Sequence, residues 1–343
     1  MKILVTGGTG HVGRAVVTRL VRNGHQVKVI DRRLGERIDG AEYVECDITD
    51  FKSLREQVRG QEAIAHLAAI PYPGGASGDE IFRINCAGTF NVFEATAAEG
   101  IRRVACASSI NALGYNFGVK SFPIQYFPID EEHPSFTTDP YSFSKQINEA
   151  ISAYYWRREG ISSTCLRMPG VYGMTEESRW MGREFFTHYR DAFAGLMSLA
   201  VAEREARVRQ LLSERDAMRA QRFAEKSWEE RRRRGETLNF NDPSIAIRFG
   251  YTDFWAIIST EDAAQAFEKS LLADYEGSHP LYVNETQNFT GIESETLAQL
   301  FFPEVKDRKR PLPGAACLVS FEKARQLIGF EPEYLLGDRL EAS

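Results

Sequence analysis

Tyr141 and Lys145 are spaced as a proton-transfer pair would be. Of the thirteen tyrosines in the chain, only Tyr141 is followed by a lysine four residues later. On a helix, both side chains then project from one face. A lysine ammonium beside a phenol stabilises the phenolate and lowers its pKa, which gives a general acid or base near neutral pH. The pair predicts proton transfer at Tyr141; the alternative is a tyrosine and a lysine on the surface of an ordinary helix.

The surroundings of the pair favour the catalytic interpretation. Pro140 opens the predicted helix 141–158, which follows a predicted strand and its loop. Ser108 and Ser109 come at the carboxyl end of that strand, where ligands of open α/β sheets bind. We therefore expect Ser109, Tyr141 and Lys145 to meet at one site.

A glycine-rich turn near the start of the chain predicts a site for phosphates. Gly7, Gly10 and Gly13 lie between an apolar strand and a helical pattern over 14–22. In such a turn the first glycine allows the tight bend, the second lets backbone approach a pyrophosphate, and the third lets helix and strand pack closely. Asp31 closes the second apolar run and can accept hydrogen bonds from an adenosine ribose. The set predicts a dinucleotide site; the alternative is a structural glycine turn.

These residues need a scaffold in which strands and helices alternate. The predicted strands are 3–5, 27–30, 42–48, 63–69, 104–107 and 163–166, and the predicted helices are 14–22, 51–58 (capped by Thr49 and Asp50), 80–98 and 141–158. Strands that are apolar throughout are buried on both faces, as in a parallel sheet. The pattern predicts a Rossmann-type, doubly wound α/β sheet over 1–173, with a later return near 254–272. A smaller substrate-binding lobe is expected over 174–343.

Residues 177–234 interrupt this alternation with an expected helical insertion. Glycine and proline are scarce there, and apolar residues recur at helical spacing: Phe193, Leu196, Met197, Ala200, Val208, Leu211, Leu212, Met218 and Phe223. We expect one or two long amphipathic helices with a single packed stripe, serving as a lid over the substrate or as an arm for assembly. The arginine run 231–234 is interpreted as a solvated helix end rather than a nucleic-acid site, because neighbouring glutamates offset its charge.

The last part of the chain has weaker patterns. They predict a strand over 254–259, a capped helix over 260–272 and a strand over 281–283. A last helix over 321–328 would be capped by Ser320 and end at Gly329.

Composition narrows the class of protein. The 343 residues carry a net charge of −6, which gives no general attraction to nucleic acid or to an anionic membrane. The five cysteines are scattered without a CxxC pair, which is typical of reduced thiols in the cytosol. No apolar run reaches membrane-spanning length, and the first residues lack a signal-peptide pattern. We expect a cytoplasmic protein without a metal site.

Several further motifs, together with those above, carry a family resemblance. They include residues 47–48, 66–69, 85–89, 167–173, 255–262 and 320–329. With them, the chain resembles the extended short-chain dehydrogenase/reductase family, the NAD-dependent sugar epimerases and dehydratases, which includes uronate dehydrogenases. The resemblance implies a homodimer formed through the helices at 80–98 and 141–158.

The resemblance also implies residue roles. Tyr141 would exchange a proton with the substrate oxygen, Ser109 would hydrogen-bond that oxygen, and Lys145 would bind the nicotinamide ribose and lower the tyrosine pKa. Cofactor contacts are implied for Gly7, Gly10, His11, Val12, Gly13, Asp31, Arg32, Asp47, Ile48, Leu67, Ala68, Ala69, Asn85, Ser108, Tyr141, Lys145 and Met168.

Some of these roles have alternatives. Asp31 favours NAD over NADP, although Arg32 and Arg33 could meet a 2′-phosphate. Residues 67–69 could equally be strand core, and Asp47 a helix cap.

Departures from the family pattern bear on the substrate. Gly170 stands where relatives that act on nucleotide sugars carry an Asn. This difference weakens the case for a nucleotide-sugar substrate without excluding one. Ser109 is followed by Ile110 and Asn111 instead of an acid pair, which argues against 4,6-dehydration. Substrate contacts are implied for Ser109, Asn111 and Arg179; Arg179 would hold a sugar carboxylate, or be a solvated residue of a charged helix.

We therefore expect an NAD-dependent epimerase or oxidoreductase that transfers a hydride at a secondary alcohol of a sugar or nucleotide sugar. One alternative is a uronate dehydrogenase with net release of NADH. The alternative of another class is a non-catalytic NAD(P)-binding regulatory protein.

Overall fold

A parallel sheet of seven strands, in the order β10-β7-β5-β4-β1-β2-β3, forms the centre of the protein. The computed structural model describes residues 1–173, 182–236, 238–239 and 242–341. The strands are β1 (Lys2–Thr6), β2 (Gln26–Asp31), β3 (Ala41–Glu45), β4 (Ala63–His66), β5 (Arg103–Ser109), β6 (Tyr126–Phe127), β7 (Ser162–Met168), β8 (Gly170–Tyr172), β9 (Ile257–Ser259), β10 (Ser278–Tyr282) and β11 (Asp307–Arg308). Two small parallel pairs, β11 with β6 and β8 with β9, lie outside the main sheet.

Helices cover both faces of the sheet. They are α1 (His11–Arg22), α2 (Phe51–Val58), α3 (Gly78–Ile81), α4 (Gly88–Ala98), α5 (Pro140–Glu159), α6 (Arg183–Ser198), α7 (Val201–Ala220), α8 (Trp228–Arg233), α9 (Pro243–Gly250), α10 (Thr260–Leu272), α11 (Ser294–Phe301), α12 (Glu322–Ile328) and α13 (Leu336–Glu341). A π-helical segment, Phe82–Ala87, joins α3 to α4. Helices α1 and α10 pack on one face, and α2, α4 and α5 pack on the other. The predicted Rossmann-type α/β sheet is confirmed, because every strand pair in it is parallel and each face is buried.

A third apolar cluster lies beyond the carboxyl ends of the strands. It joins residues of α6, α7, α9 and α11 to the loop after β5 and the turn before β9. The predicted stripe of the insertion is largely buried in it, with Phe193, Leu196, Val208 and Leu211 all inside. In its described residues, 182–234, the insertion forms the three helices α6, α7 and α8, where one or two were predicted.

Several sequence-based boundaries were wrong. Residues 254–256 were predicted as strand, but Phe254 and Trp255 adopt left-handed backbone in a turn. Both side chains are buried in the third cluster, so tertiary packing overrides their preference for strand. Helix α10 is capped by Ser259, as its side chain accepts from the Asp262 N–H. The helix at 322–328 is not the last, because α13 follows it.

No helix in the described part of the chain is long and apolar enough to cross a membrane. The five cysteines are all buried and unpaired.

Candidate active site

A cavity of about 1030 Å³ opens at the carboxyl ends of the central strands. This edge is where open α/β sheets bind their ligands. The glycine turn between β1 and α1 lies at one end of the cavity. The insertion, the loop after β5 and the turn before β9 enclose the other end, so a single cavity connects the predicted dinucleotide and substrate sites.

The glycine turn is built as phosphate binding requires. Gly7 has a φ of +71°, and a Cβ there would lie 2.6 Å from the Ala68 backbone nitrogen. A Cβ on Gly13 would lie 2.2 Å from the Gly7 carbonyl oxygen, so only glycine permits this packing of α1 on the turn. No side chain caps α1 at Gly10, and its first turn carries no acid. The N-terminal N–H groups of α1 are therefore suited to bind an anion such as a pyrophosphate.

Asp31 lines the cavity at the end of β2, and its carboxylate is held in place from two sides. One oxygen accepts from the Thr9 hydroxyl at 2.6 Å, and the other accepts from the Arg32 N–H at 2.8 Å. Arg32 also lines the cavity. A carboxylate fixed beside the glycine turn can accept hydrogen bonds from ribose hydroxyls and repels a phosphate group.

Asp47 and Ile48 form the next part of the cavity wall. Asp47 accepts from the N–H and the hydroxyl of Thr49, and these hydrogen bonds outweigh burial and lower the pKa of its carboxyl. The helix cap that was the alternative role for Asp47 is supplied by Asp50, which accepts from the Ser53 N–H at the start of α2.

Leu67, Ala68 and Ala69 follow β4 and line the cavity. The Thr6 hydroxyl oxygen accepts from the N–H groups of Leu67 and Ala68 at 3.2 Å each. His66 contacts the Thr6 hydroxyl at 2.7 Å, and burial lowers the pKa of His66 to about 3, so its ring is neutral. A buried polar network thus fixes the backbone of this wall.

Asn85 is fully buried and is not among the residues that line the cavity. Its side-chain oxygen accepts from the Ile70 N–H at 2.7 Å, and its side-chain nitrogen donates to the Ile70 carbonyl at 3.1 Å and to the Ser144 hydroxyl at 3.0 Å. Asn85 therefore joins the wall of the cavity to helix α5, and we regard it as a positioning residue.

The structure brings Ser109, Tyr141 and Lys145 together on the cavity wall. Asp139 caps α5 by accepting from the Ser142 N–H at 2.9 Å, and Tyr141 and Lys145 share a face of the first turns. The Lys145 Nζ lies 5.7 Å from the centre of the Tyr141 ring and donates to the Ala107 carbonyl at 2.9 Å. The pair is therefore anchored to the end of β5, where Ser109 lies.

The hydroxyl of Ser109 has its acceptor side occupied. It accepts from the Asn111 N–H at 3.1 Å and from the Asn111 side-chain nitrogen at 3.3 Å. The hydroxyl proton is thus left to donate toward Tyr141 or a substrate oxygen. Asn111 lines the cavity, and its side-chain oxygen has no partner among the described residues.

The electrostatics of Tyr141 differ from the expectation. Burial raises the pKa of the phenol, and the hydrogen bond with Ser109 opposes that rise without cancelling it. The nearby carboxylates of Asp139 and Asp253 raise the pKa further. The predicted net lowering by Lys145 was wrong for the protein groups alone, because burial dominates. Burial also lowers the pKa of Lys145 itself.

The hydroxyl of Ser108 is held by a buried ion pair. It donates to Glu149 at 2.7 Å, and Arg167 binds both oxygens of the same carboxylate at 2.8 and 2.9 Å. Ser108 and Met168 line the cavity. Arg179, the expected carboxylate ligand, lies outside the described residues.

Sequence reasoning missed the polar groups at the far end of the cavity. Asn116, Asp253 and the insertion residues Arg215 and Arg231 all line it, which corrects the expectation that Arg231 belongs to a solvated helix end. Arg215 follows Val208 and Leu211 at helical spacing, so the periodicity of the stripe contained a signal. The type of this residue alone favours exposure, whereas its phase with the stripe indicates burial.

The sequence of this chain is similar to that of a family of NAD-dependent enzymes. The sequence profile described as the NAD dependent epimerase/dehydratase family matches residues 3–239. The L-arabinose 1-dehydrogenase (NAD(P)(+)) of Haloferax volcanii is 34% identical over 189 residues, which cover 53% of this chain and 72% of that protein. A uronate dehydrogenase of Pseudomonas syringae pv. tomato is 26% identical over 182 residues, which cover 52% of this chain and 63% of that protein.

The fold has counterparts among solved structures. A UDP-glucose 4-epimerase from Thermotoga maritima, solved with UDP-glucose, matches with a TM-score of 0.63 at 18% identity, over 99% of this chain and 96% of that one. Similarity at this level of identity shows a shared fold, and the profile match extends over more than half of the sequence. The chain therefore belongs to the NAD-dependent epimerase/dehydratase family, within the extended short-chain dehydrogenases/reductases.

Proposed function

We propose that this protein is an NAD-dependent epimerase or oxidoreductase that acts on a secondary alcohol of a sugar or nucleotide sugar. The observation that carries the proposal is the meeting of Ser109, Tyr141 and Lys145 in the same cavity as the glycine turn. A phosphate-binding turn alone predicts only nucleotide binding, whereas a proton-transfer pair beside it provides for chemistry.

Each residue of the site has a separate role in the proposed reaction. Ser109 donates its hydroxyl proton to the substrate oxygen, because Asn111 occupies its acceptor side. Tyr141 exchanges a proton with the same oxygen: as the phenolate it accepts the hydroxyl proton when the hydride leaves the alcohol carbon, and as the phenol it returns the proton in the reverse direction. Burial raises the pKa of the phenol, which favours the form that donates. When bound, NAD supplies the acceptor for the hydride that leaves the alcohol carbon. The α1 N-terminus and Asp31 hold the pyrophosphate and the adenosine ribose.

We further propose that NAD is preferred over NADP. The Asp31 carboxylate is fixed by Thr9 on the cavity wall, where a 2′-phosphate would be repelled. Arg32 also lines the cavity, so some use of NADP is compatible with the site.

The experiment that tests the function is an assay for turnover with each dinucleotide. We would incubate the protein with NAD or NADP and a panel of free sugars, sugar acids and UDP-sugars, and record NADH absorbance and epimer formation by NMR. Net NADH supports a dehydrogenase, including the uronate dehydrogenase alternative, and epimerised sugar without net NADH supports an epimerase. Binding of NADH without turnover of any sugar contradicts the proposal and favours a non-catalytic regulatory protein.

We also propose that the protein is a cytoplasmic homodimer. Helices α4 and α5 and the π-helical segment between α3 and α4 expose Phe82, Phe90, Phe143 and Tyr154, each at least 40% accessible. These rings stack in two pairs, Phe82 with Phe143 and Phe90 with Tyr154. Paired exposed aromatic side chains on adjacent helices are typical of a protein interface. Five unpaired buried cysteines are compatible with a reducing compartment.

A further inference from the structure

The far end of the cavity carries two arginines that come from the insertion. Arg215 lies on α7 and Arg231 lies on α8, and both face the cavity that contains Tyr141. The predicted carboxylate ligand, Arg179, belongs to a different segment. The two arginines are therefore a separate source of positive charge on the substrate side.

Arg215 is a buried cation whose orientation is fixed. It is 1% exposed, and its guanidinium lies 4.3 Å from the centre of the Phe249 ring. One terminal nitrogen donates to the Asn116 carbonyl at 2.9 Å and to the Asn116 side-chain oxygen at 3.1 Å. Its Nε is buried and has no hydrogen-bond partner among the described residues. One terminal nitrogen of the guanidinium is thus hydrogen-bonded within the protein, whereas Nε is not.

The charge of Arg215 is only partly compensated. Burial lowers the pKa of Arg215 to about 10, so the group stays charged at neutral pH. No carboxylate in the described part of the chain pairs with it directly. Asn116 lies between Arg215 and Asp253, and the Asp253 carboxylate accepts from the Asn116 side chain at 3.0 Å. An uncompensated buried charge is costly unless a partner arrives. A bound anion would supply that partner.

Arg231 repeats this arrangement at the rim. Its guanidinium lies 4.2 Å from the Phe223 ring, and one terminal nitrogen donates to the carbonyls of Phe223 and Ala224. Its Nε is also without a hydrogen-bond partner among the described residues. The aromatic rings hold both arginines in place, which reduces the entropy lost on binding.

The position of Arg215 relative to the reacting tyrosine limits the ligand. Phe117 packs edge-on against Tyr141, with ring centres 5.8 Å apart, and the preceding residue, Asn116, holds Arg215. The cation and the proton-transfer group are therefore linked through two consecutive residues. Both groups line the same cavity, so we infer that one ligand contacts both.

We propose that the substrate carries an anionic oxygen group, a carboxylate or a phosphate, that Arg215 binds with help from Arg231 while the secondary alcohol lies at Tyr141. This inference rests on the proposed function and narrows its substrate class. The planar fork of a guanidinium matches the paired oxygens of either group. The insertion then contributes to substrate specificity in addition to lining the cavity.

The test compares matched substrates on matched variants. D-Glucose and D-galactose would each be assayed as the neutral sugar, the uronate, the 6-phosphate and the UDP derivative, which separates carboxylate from phosphate sources. The variants are Arg215→Gln, Arg215→Lys and the control Arg219→Gln. Arg219 is 4% exposed on the same helix face, one turn later, and does not line the cavity.

We expect the wild type to prefer an anionic member of a series over the neutral sugar. Arg215→Gln should lower kcat/KM for that anion roughly 10- to 100-fold, mainly through KM, because a hydrogen bond to a charged group is lost. Turnover of the neutral sugar should change less than about 3-fold, and Arg215→Lys should restore part of the loss. Arg219→Gln should leave the preference unchanged. Equal losses for neutral and anionic sugars in Arg215→Gln, or no preference in the wild type, would overturn the inference while leaving the proposed function intact.

A failure of the proposed function would be visible separately. If no sugar is turned over, calorimetric titration of D-glucuronate and D-glucose 6-phosphate into the NADH-bound protein still tests Arg215. Binding that Arg215→Gln abolishes and Arg219→Gln preserves supports the anion site without the reaction. Absence of binding, or equal binding to all variants, contradicts it.

Discussion

At the scale of one residue, the buried carboxyl of Asp253 at the substrate end of the cavity lowers the free energy of unfolding. Burial raises the pKa of its carboxyl to about 6, although Asn116 and the charge of Arg215 both oppose the rise. Because the folded pKa lies above the unfolded one, ionisation disfavours the folded state. Stability is lost as the pH rises from about 4 to 6, and the full cost applies above that range.

Replacement of this carboxyl should therefore stabilise the protein in a pH-dependent way. Asp253→Asn is expected to raise the free energy of unfolding at pH 8 by roughly 2–3 kcal/mol, with most of the gain absent at pH 4. Urea unfolding at both pH values measures it, with Asp274→Asn, an exposed acid, as the control. An equal change at pH 4 and pH 8 would show that the effect does not come from ionisation.

At the scale of elements, the turn between β1 and α1 is the most constrained part of the site. A Cβ on Gly13 would meet the Gly7 carbonyl oxygen at 2.2 Å and the Gly8 Cα at 2.8 Å, and neither backbone atom can move without displacing α1. Gly13→Ala should weaken NADH binding at least about 10-fold and destabilise the fold by about 1–3 kcal/mol. Fluorescence titration with NADH and thermal unfolding measure the two effects.

The matched control is Gly195→Ala in α6. A Cβ there meets no atom within 4 Å, so the same substitution should stabilise the helix slightly and leave NADH binding unchanged. Unaltered NADH affinity in Gly13→Ala would contradict the role assigned to the turn.

The elements around this turn are also those that the sequence predicts best. Strand β1, helix α1 and the Tyr141–Lys145 face of α5 follow from glycine spacing, apolar runs and a four-residue interval, which are local patterns. Residues 254–256 were wrongly predicted as strand, because the burial of Phe254 and Trp255 depends on partners distant in sequence. The burial of Arg215 could not be predicted for a related reason. It depends on contacts with Asn116 and Phe249, which are distant in sequence and which no local pattern reveals.

At the scale of the whole molecule, the exposed aromatic face of α4 and α5 is the interface that we propose for the homodimer. If Phe90 and Phe143 lie in a dimer interface, replacement of each by Glu places an unpaired charge in that interface. The double variant Phe90→Glu/Phe143→Glu should shift the mass from dimer to monomer in light scattering after gel filtration. Phe136→Glu is the control, because Phe136 is the most exposed phenylalanine among the described residues and lies outside these helices. A monomeric wild type, or an unchanged dimer in the double variant, would contradict the proposed assembly.

The whole account depends on proton transfer at Tyr141, and the comparison of Tyr141→Phe with Tyr155→Phe tests it most directly. Tyr155 lies on the same helix, is fully buried and donates its hydroxyl to Glu94, away from the cavity. Removal of the Tyr141 hydroxyl should lower kcat for the substrate found in the turnover assay by about 10²- to 10⁴-fold, the usual contribution of a general acid or base. The NADH affinity of Tyr141→Phe should stay within about 3-fold of that of the wild type. The activity of Tyr155→Phe should also stay within about 3-fold of that of the wild type. Full turnover by Tyr141→Phe would contradict the mechanism.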